Sequence, residues 1–288
     1  MSTQRIIIIG ATGQLGTDLV EVFRQYGEFQ VVPLSHQDCD CTDENQIGQV
    51  IVNLHPDVVV NCAAYVRVDD CEGHSNDAFN VNAIGALNVA RACAAANAVC
   101  VYISTDYVFD GTKAAPYTES DLPNPINVYG ASKLAGEYLT RQAVPHWLIV
   151  RTASLFGKTG ARGKGGNFVE TIIKKAKAGE PIGVVDDVTM SPTYSRDAAD
   201  RLAGLVRRRA TGLFHIANGG ACTWYEFART ISEFVELGNP VRSVSSKEFR
   251  AAAVRPKNSA LVTEQHDFRL RPWKDALKAY LVEKGHRR

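Results

Sequence analysis

Tyr129 and Lys133, in the run Tyr129-Gly130-Ala131-Ser132-Lys133, stand at i and i+4, the spacing that puts two side chains on one face of a helix. A phenol titrates at about 10, too high for easy proton exchange at neutral pH. A nearby ammonium favours the phenolate and draws that value towards the working range. The same lysine can hydrogen-bond a cofactor ribose. Upstream, Ser104-Thr105-Asp106 closes an apolar strand, and the carboxyl end of a parallel strand is where such sheets bind ligands. Thr105 can donate a hydrogen bond to the carbonyl oxygen that Tyr129 protonates. The chemistry expected of these three residues is proton delivery to a carbonyl.

A second motif supplies the partner for that chemistry. Gly10-Ala11-Thr12-Gly13-Gln14-Leu15-Gly16 follows the apolar run Ile6–Ile9 and opens an amphipathic helix with Leu15, Leu19, Val22 and Phe23 on one face. Glycines suit a tight turn where backbone must approach a pyrophosphate, and the helix N-terminus offers unpaired N–H groups to the anion. The spacing GxxGxxG in this strand–turn–helix context predicts dinucleotide binding. The second strand ends Leu34-Ser35-His36-Gln37, with its first acids at Asp38 and Asp40. Neither a carboxylate for the ribose 2′-hydroxyl of NAD nor an arginine for the 2′-phosphate of NADP stands at the diagnostic place. This leans to NADPH, with NADH as the alternative. A third glycine-rich run, Gly157 to Gly166, contains Gly163-Lys164 but has Gly165 where a phosphate-binding loop needs Ser or Thr. It reads as a loop with Lys158, Arg162 and Lys164 exposed.

The elements that must position these residues alternate strand and helix, which argues for a parallel sheet. Strands are expected at Ile6–Ile9, Gln30–Leu34, Val58–Val60, Val99–Ile103 and Leu148–Val150. Helices are expected over Ile47–Leu54, Asp77–Ala96 and about Asn127–Arg141, the second with Phe79, Ala83, Leu87, Ala90 and Ala94 on one face. Past Thr152 the chain shortens its elements and gains prolines, with a helix from about Phe168 to Ala178. Asp197–Arg208 and Leu213–Ile216 look like a last helix and strand returning to the sheet. The fold class is α/β: a Rossmann-type doubly wound parallel sheet with a smaller C-terminal substrate-binding lobe. Residues 1–152, joined by 195–216, form the dinucleotide-binding domain, and 153–194 with 217–288 form the lobe.

Composition removes several function classes. Among 288 residues, 45% are hydrophobic and 22% charged, which is ordinary for a chain with a buried core and excludes wholesale disorder. Lys+Arg 32 against Asp+Glu 31 leaves none of the basic excess of a nucleic-acid binder. The basic run Arg207–Arg209 suits a helix C-terminus. No apolar stretch is long enough for a signal core or a bilayer span, so a cytoplasmic location is expected. The seven cysteines are odd in number and scattered, and read as reduced thiols with no metal site.

Several blocks together resemble the extended short-chain dehydrogenase/reductase superfamily, and within it the dTDP-4-dehydrorhamnose reductases. They are Pro56 to Asn61 with Ala63-Ala64-Tyr65 and Val68-Asp69; Ser104-Thr105-Asp106-Tyr107-Val108-Phe109-Asp110-Gly111; and Val128-Tyr129-Gly130 with Ser132-Lys133-Leu134 and Gly136-Glu137. Later come Asn167-Phe168-Val169, Ser191 to Tyr194, Trp224 to Ala228, and Arg255-Pro256 with Asn258-Ser259. The resemblance implies NADPH-dependent reduction of a 4-keto sugar carried on a nucleotide diphosphate. It makes Tyr129 the proton donor, Lys133 its tuner and ribose contact, and Thr105 the carbonyl-orienting hydroxyl. It puts Gly10, Gly13, Gln14, Leu15 and Gly16 at the pyrophosphate, Asp40 and Cys41 beside adenine, and Ala63, Ala64 and Tyr65 along the middle of the cofactor. Thr105, Asp106, Ser154, Asn167 and Arg255 would meet the substrate. A homodimer is compatible with the sequence.

The same blocks separate sister activities. Nucleotide-sugar 4,6-dehydratases follow the threonine with Asp-Glu, whereas Thr105-Asp106 is followed here by Tyr107, so reduction fits better than elimination. The regulatory β subunit of methionine adenosyltransferase is also similar and is the alternative: an NADP-binding protein that acts through a partner. Two departures bear on the sugar. Ser154 stands where rhamnose-forming enzymes usually carry a tryptophan, and Asp187-Val188 replaces their Asp-Gln. Loss of an aromatic platform could admit a different epimer.

Overall fold

The computed structural model describes residues 3–160, 166–238, 241–249 and 251–287; Arg162 and Lys164, expected in an exposed loop, lie outside them. In chain order the first half runs β1 (Gln4–Ile9), α1 (Gln14–Gln25), β2 (Phe29–Leu34), α2 (Glu44–Leu54), β3 (Val58–Asn61), α3 (Val68–Gly73), α4 (Ser75–Phe79), α5 (Gly85–Ala95), β4 (Val99–Thr105), α6 (Val128–Ala143) and β5 (Trp147–Thr152). The second half runs β6 (Leu155–Phe156), α7 (Phe168–Lys177), β7 (Ile182–Val185), β8 (Thr189–Met190), β9 (Thr193–Tyr194), α8 (Ser195–Arg207), β10 (Gly212–His215), β11 (Cys222–Thr223), α9 (Trp224–Phe234), β12 (Val241–Val244) and α10 (Trp273–Glu283).

Six of these strands form one parallel sheet in the order β10-β5-β4-β3-β1-β2. Its central strands β1 and β3 carry unbroken apolar runs, Ile6–Ile9 and Val58–Val60, because both of their faces are covered. The edge strand β2 instead exposes Gln30 and Pro33. Ile6 and Ile8 point towards Leu19, Val22 and Phe23 of α1 and Ala199 and Leu202 of α8. Ile7 and Ile9 point the other way, towards Ile47 and Ile51 of α2 and Val89 and Cys93 of α5. β10 reaches the sheet by pairing with β5, from Gly212 opposite Leu148 to His215 opposite Arg151. A separate core, with Phe156, Ile172, Phe227, Ile231, Trp273 and Leu277 at its centre, joins α7, α9 and α10.

The helix expected over Asp77–Ala96 is interrupted. Between α4 and α5 lies a π turn, Asn80–Ile84, whose extra residue shifts the phase of the helical run beyond it. The buried face of α5 is therefore Ala86, Val89, Ala90 and Cys93, while Phe79 and Ala94 are exposed rather than core. Helix α3 was not apparent in the sequence, since six residues are too few to show a period. Among the described residues no helix is long and apolar enough to cross a membrane. All seven cysteines are free.

Candidate active site

A cleft of about 780 Å3 runs along the carboxyl ends of β1, β3 and β4 and is closed on its far side by residues of α7 and α9. At its floor Gly10 adopts φ +74°, and a Cβ on Gly16 would stand 2.3 Å from the Gly10 carbonyl oxygen. Only glycine at position 16 allows the helix to start so close to the turn. Gly13 is the N-cap of α1; it offers no side-chain cap, and the first turn holds no acid. The positive end of the helix dipole therefore faces the cleft without compensation, which favours an anion. Gln14 Nε2 is buried there with no hydrogen-bond partner among the described residues, a donor awaiting an acceptor. This cradle fits a dinucleotide diphosphate. Gly16→Ala is expected to destabilise the fold by roughly 1–3 kcal/mol, the usual cost of forced overpacking. It should also weaken dinucleotide binding by about tenfold or more; thermal melting and a fluorescence titration check both.

The cofactor candidates of the sequence share one cleft. Gly10, Gly13, Gln14, Leu15 and Gly16 all line the cleft, as do Asp40 and Cys41 beyond β2 and Ala63, Ala64 and Tyr65 beyond β3. The Asp40 carboxylate accepts from the backbone N–H and hydroxyl of Thr42, bonds that hold it below the usual carboxylate range. Burial pushes the Cys41 thiol up to about 11, so it is an inert wall rather than a nucleophile. Beside it, Asp38 accepts from the N–H and hydroxyl of Ser35 at 2.7 and 2.6 Å.

Thr105, Tyr129 and Lys133 meet at the other end of the same cleft. Thr105 is buried at the last position of β4 and donates to Asp106 Oδ1 at 3.0 Å. α6 begins at Val128, capped by Asn127, whose side chain accepts from Gly130 N–H. That cap fixes where Tyr129 enters the cleft, and the Tyr107 ring meets the Tyr129 ring edge-on at 6.0 Å. Lys133 Nζ donates to the Ile103 carbonyl at 2.6 Å and lies 4.0 Å from the centre of the Tyr102 ring. Burial brings its ammonium down to about 7.

The tuning of Tyr129 differs from the expectation. Burial pushes its phenol above the ordinary range, and the group working against that rise is the Thr105 hydroxyl. Lys133 is directed at a backbone carbonyl, so a lowered Tyr129 is not the arrangement observed.

The substrate candidates divide. Asp106 and Ser154 line the cleft with Thr105, and Ser154 holds a left-handed φ of 42°. Asn167 also lines it, but its side chain is fully engaged: Oδ1 caps Val169 N–H, and Nδ2 donates to the Gly157 carbonyl and the Tyr280 hydroxyl. Arg255 is not among the lining residues. Its guanidinium makes a two-point pair with Asp69 of α3, at 3.0 and 2.7 Å. It ties the C-terminal segment to the sheet domain, and it also donates to the Tyr107 hydroxyl, whose residue lines the cleft.

The sequence reading missed Asn82. It sits in the π turn, and its side chain accepts from Tyr65 N–H at 2.8 Å and donates to the Tyr65 carbonyl at 3.2 Å and Ser132 Oγ at 3.0 Å. Its own carbonyl accepts from the Tyr102 hydroxyl at 2.7 Å. It thus fixes the loop beyond β3 against α6. A buried asparagine inside an Ala-rich helix, where it is a poor helix former, was the available signal.

The chain is similar to known proteins along nearly its whole length. Residues 4–285 match the family described as the RmlD substrate binding domain. The dTDP-4-dehydrorhamnose reductase of Mycobacterium tuberculosis (strain H37Rv) is 38% identical, over 97% of this chain and 93% of its own. The dTDP-4-keto-6-deoxy-D-glucose reductase of Streptomyces niveus is 37% identical, over 90% and 88%. A solved structure of dTDP-4-dehydrorhamnose reductase from Bacillus anthracis in complex with NADP superposes with a TM-score of 0.92 at 38% identity, covering 98% of this chain and 100% of that one. The chain belongs to the dTDP-4-dehydrorhamnose reductase family of the extended short-chain dehydrogenase/reductase superfamily.

Proposed function

We propose that the protein is an NADPH-dependent reductase of the 4-keto group of a nucleotide-diphosphate deoxysugar, with dTDP-4-dehydro-L-rhamnose as substrate and dTDP-L-rhamnose as product. The observation that carries this is a single cleft holding an anion cradle at one end and Thr105, Tyr129 and Lys133 at the other. In this reading residues 153–194 and 217–288 are the sugar lobe, and 1–152 with 195–216 the cofactor domain. Gly10, Gly13, Gln14, Leu15 and Gly16 hold the pyrophosphate, Asp40 and Cys41 flank adenine, and Ala63, Ala64 and Tyr65 follow the cofactor's middle. A bound reduced nicotinamide supplies the hydride for C4.

The chain's own residues do the rest. Thr105 turns its one hydroxyl proton from Asp106 to the C4 carbonyl oxygen, and Tyr129 gives up its phenolic proton as negative charge develops there. Burial keeps the Tyr129 phenol protonated at neutral pH, the form an acid needs. Lys133 contacts the ribose and returns positive charge to the site when Tyr129 has lost its proton. Asp106 and Ser154 face the sugar. Free thiols throughout go with a cytoplasmic location.

The test is absorbance at the reduced-nicotinamide band with dTDP-4-keto-6-deoxy-D-glucose, run with and without its epimerase and with NADPH and NADH in parallel. NADPH oxidation that requires the epimerase, with a rhamno-configured product, is the expected result. Oxidation without the epimerase would instead assign the substrate named for the Streptomyces relative. NADPH binding with no oxidation in either case would overturn the reductase and favour the regulatory alternative.

A further inference from the structure

The helix stripe that carries Tyr129 and Lys133 continues one turn further, to Glu137 at i+8. Its carboxylate is buried and has no part in the chemistry above. Oε1 accepts from Ser104 Oγ at 2.5 Å and Arg151 Nε at 2.9 Å; Oε2 accepts from Arg151 Nη2 at 2.7 Å. The Arg151 and Glu137 side chains are only 4% and 6% exposed. Ser104 and Arg151 are register partners on β4 and β5, and each immediately precedes a threonine lining the cleft, Thr105 and Thr152. One carboxylate therefore ties together the helix bearing Tyr129 and both strand ends that face the substrate.

Stability alone is a weak reason to bury such a pair, because apolar residues of the same volume are often as stable or more so. Its position gives a better one. The groups facing Lys133 are Glu137 from its own helix, Cys62 after β3, Cys41 after β2, and the Tyr102 ring and Ile103 carbonyl of β4. Burial pushes the two thiols up to about 12 and about 11, and Tyr102 well above its usual range, so all three are neutral at neutral pH. Of the groups named, Glu137 is the one with a formal negative charge.

We propose that Ser104, Glu137 and Arg151 form the positioning device of the reaction centre: a buried anion that holds the ends of β4 and β5 on α6 and supplies the counter-charge one turn behind Lys133. This rests on the reductase reading for its consequence in catalysis, but the counter-charge itself can be measured without substrate or cofactor.

The experiment follows the Lys133 side chain by NMR of protein carrying 13C at lysine Cε, the signal being assigned by its loss in Lys133→Met. Three proteins are compared: wild type, Glu137→Gln, and the double variant Glu137→Leu/Arg151→Met, which removes both charges and so leaves no lone buried ion to unfold the chain. Lys133 in the wild type is expected to titrate near neutrality. Its midpoint should fall by about one pH unit in Glu137→Gln, where the charged form has lost its principal anion while Arg151 stays charged, and by less in the double variant, where the arginine charge goes too. The double variant should keep a melting temperature near that of wild type while kcat falls at least ~10-fold and KM for the sugar changes much less. An unmoved Lys133 midpoint in Glu137→Gln, or wild-type turnover in the double variant, overturns the proposal. A wild type that titrates as expected but reduces no 4-keto sugar removes the reductase reading and leaves the counter-charge standing.

Discussion

Tyr129→Phe is expected to lower turnover by about 10²- to 10⁴-fold, the range of a positioned general acid, while NADPH binding stays within a few-fold of wild type. Phenylalanine keeps the ring that meets Tyr107 edge-on, so the wall of the cleft is preserved. The substitution removes only the proton donor at the carbonyl oxygen. Because burial holds the Tyr129 phenol above its ordinary range, the donor is fully protonated at neutral pH. A loss of activity as the pH rises through neutrality then belongs to Lys133, which burial brings to about 7, and not to Tyr129. Reductase rates over pH 6–9, a cofactor titration and a melting curve check the three parts separately. Near-normal turnover in Tyr129→Phe would remove it from the mechanism, whatever the cofactor affinity.

The difference between Tyr129 and Lys133 shows where a sequence can be read and where it cannot. Local devices were legible because their causes are local. Ile6–Ile9 reads as a doubly covered strand because all four residues are apolar, and both faces are indeed packed. The glycine turn reads as a cradle because backbone sterics demand glycine at 10 and 16. The i, i+4 spacing placed Tyr129 and Lys133 on one helix face. The illegible features depend on partners distant in the chain. The lysine's target is a carbonyl thirty positions away, at Ile103. Arg255 is claimed by Asp69, 186 residues earlier, a pairing no local pattern announces. The π turn at Asn80–Ile84 hides because an Ala-rich run satisfies a helical period with or without one extra residue. Glu137 entered only as part of a family block, and the pairing of β4 with β5 reveals the arginine that buries it.

Lys133→Met should abolish most turnover and yet make the protein more stable near pH 6. A lysine titrates at about 10.5 in the unfolded chain and at about 7 when folded here, because burial penalises its charged form more than Glu137 compensates. The sign comes from proton counting. Between those two values the unfolded state binds a proton that the folded state does not, so wild-type stability rises with pH there, by about 1.4 kcal/mol per pH unit. Below pH 7 both states are protonated, and the full cost of burying the ammonium falls on the folded protein. Methionine fills the same space without a charge and carries no such cost. The stability gained by the variant is therefore expected to be greatest at or below neutrality and to shrink by roughly 3 kcal/mol between pH 6.5 and 9. Urea unfolding of both proteins at those two pH values measures it. A gain that does not vary with pH would mean that Lys133 titrates at an ordinary value and that the buried ammonium is not strained. The expected outcome is that the lysine is kept for catalysis at a cost in stability, as happens where a site needs a charge that the fold alone would not choose.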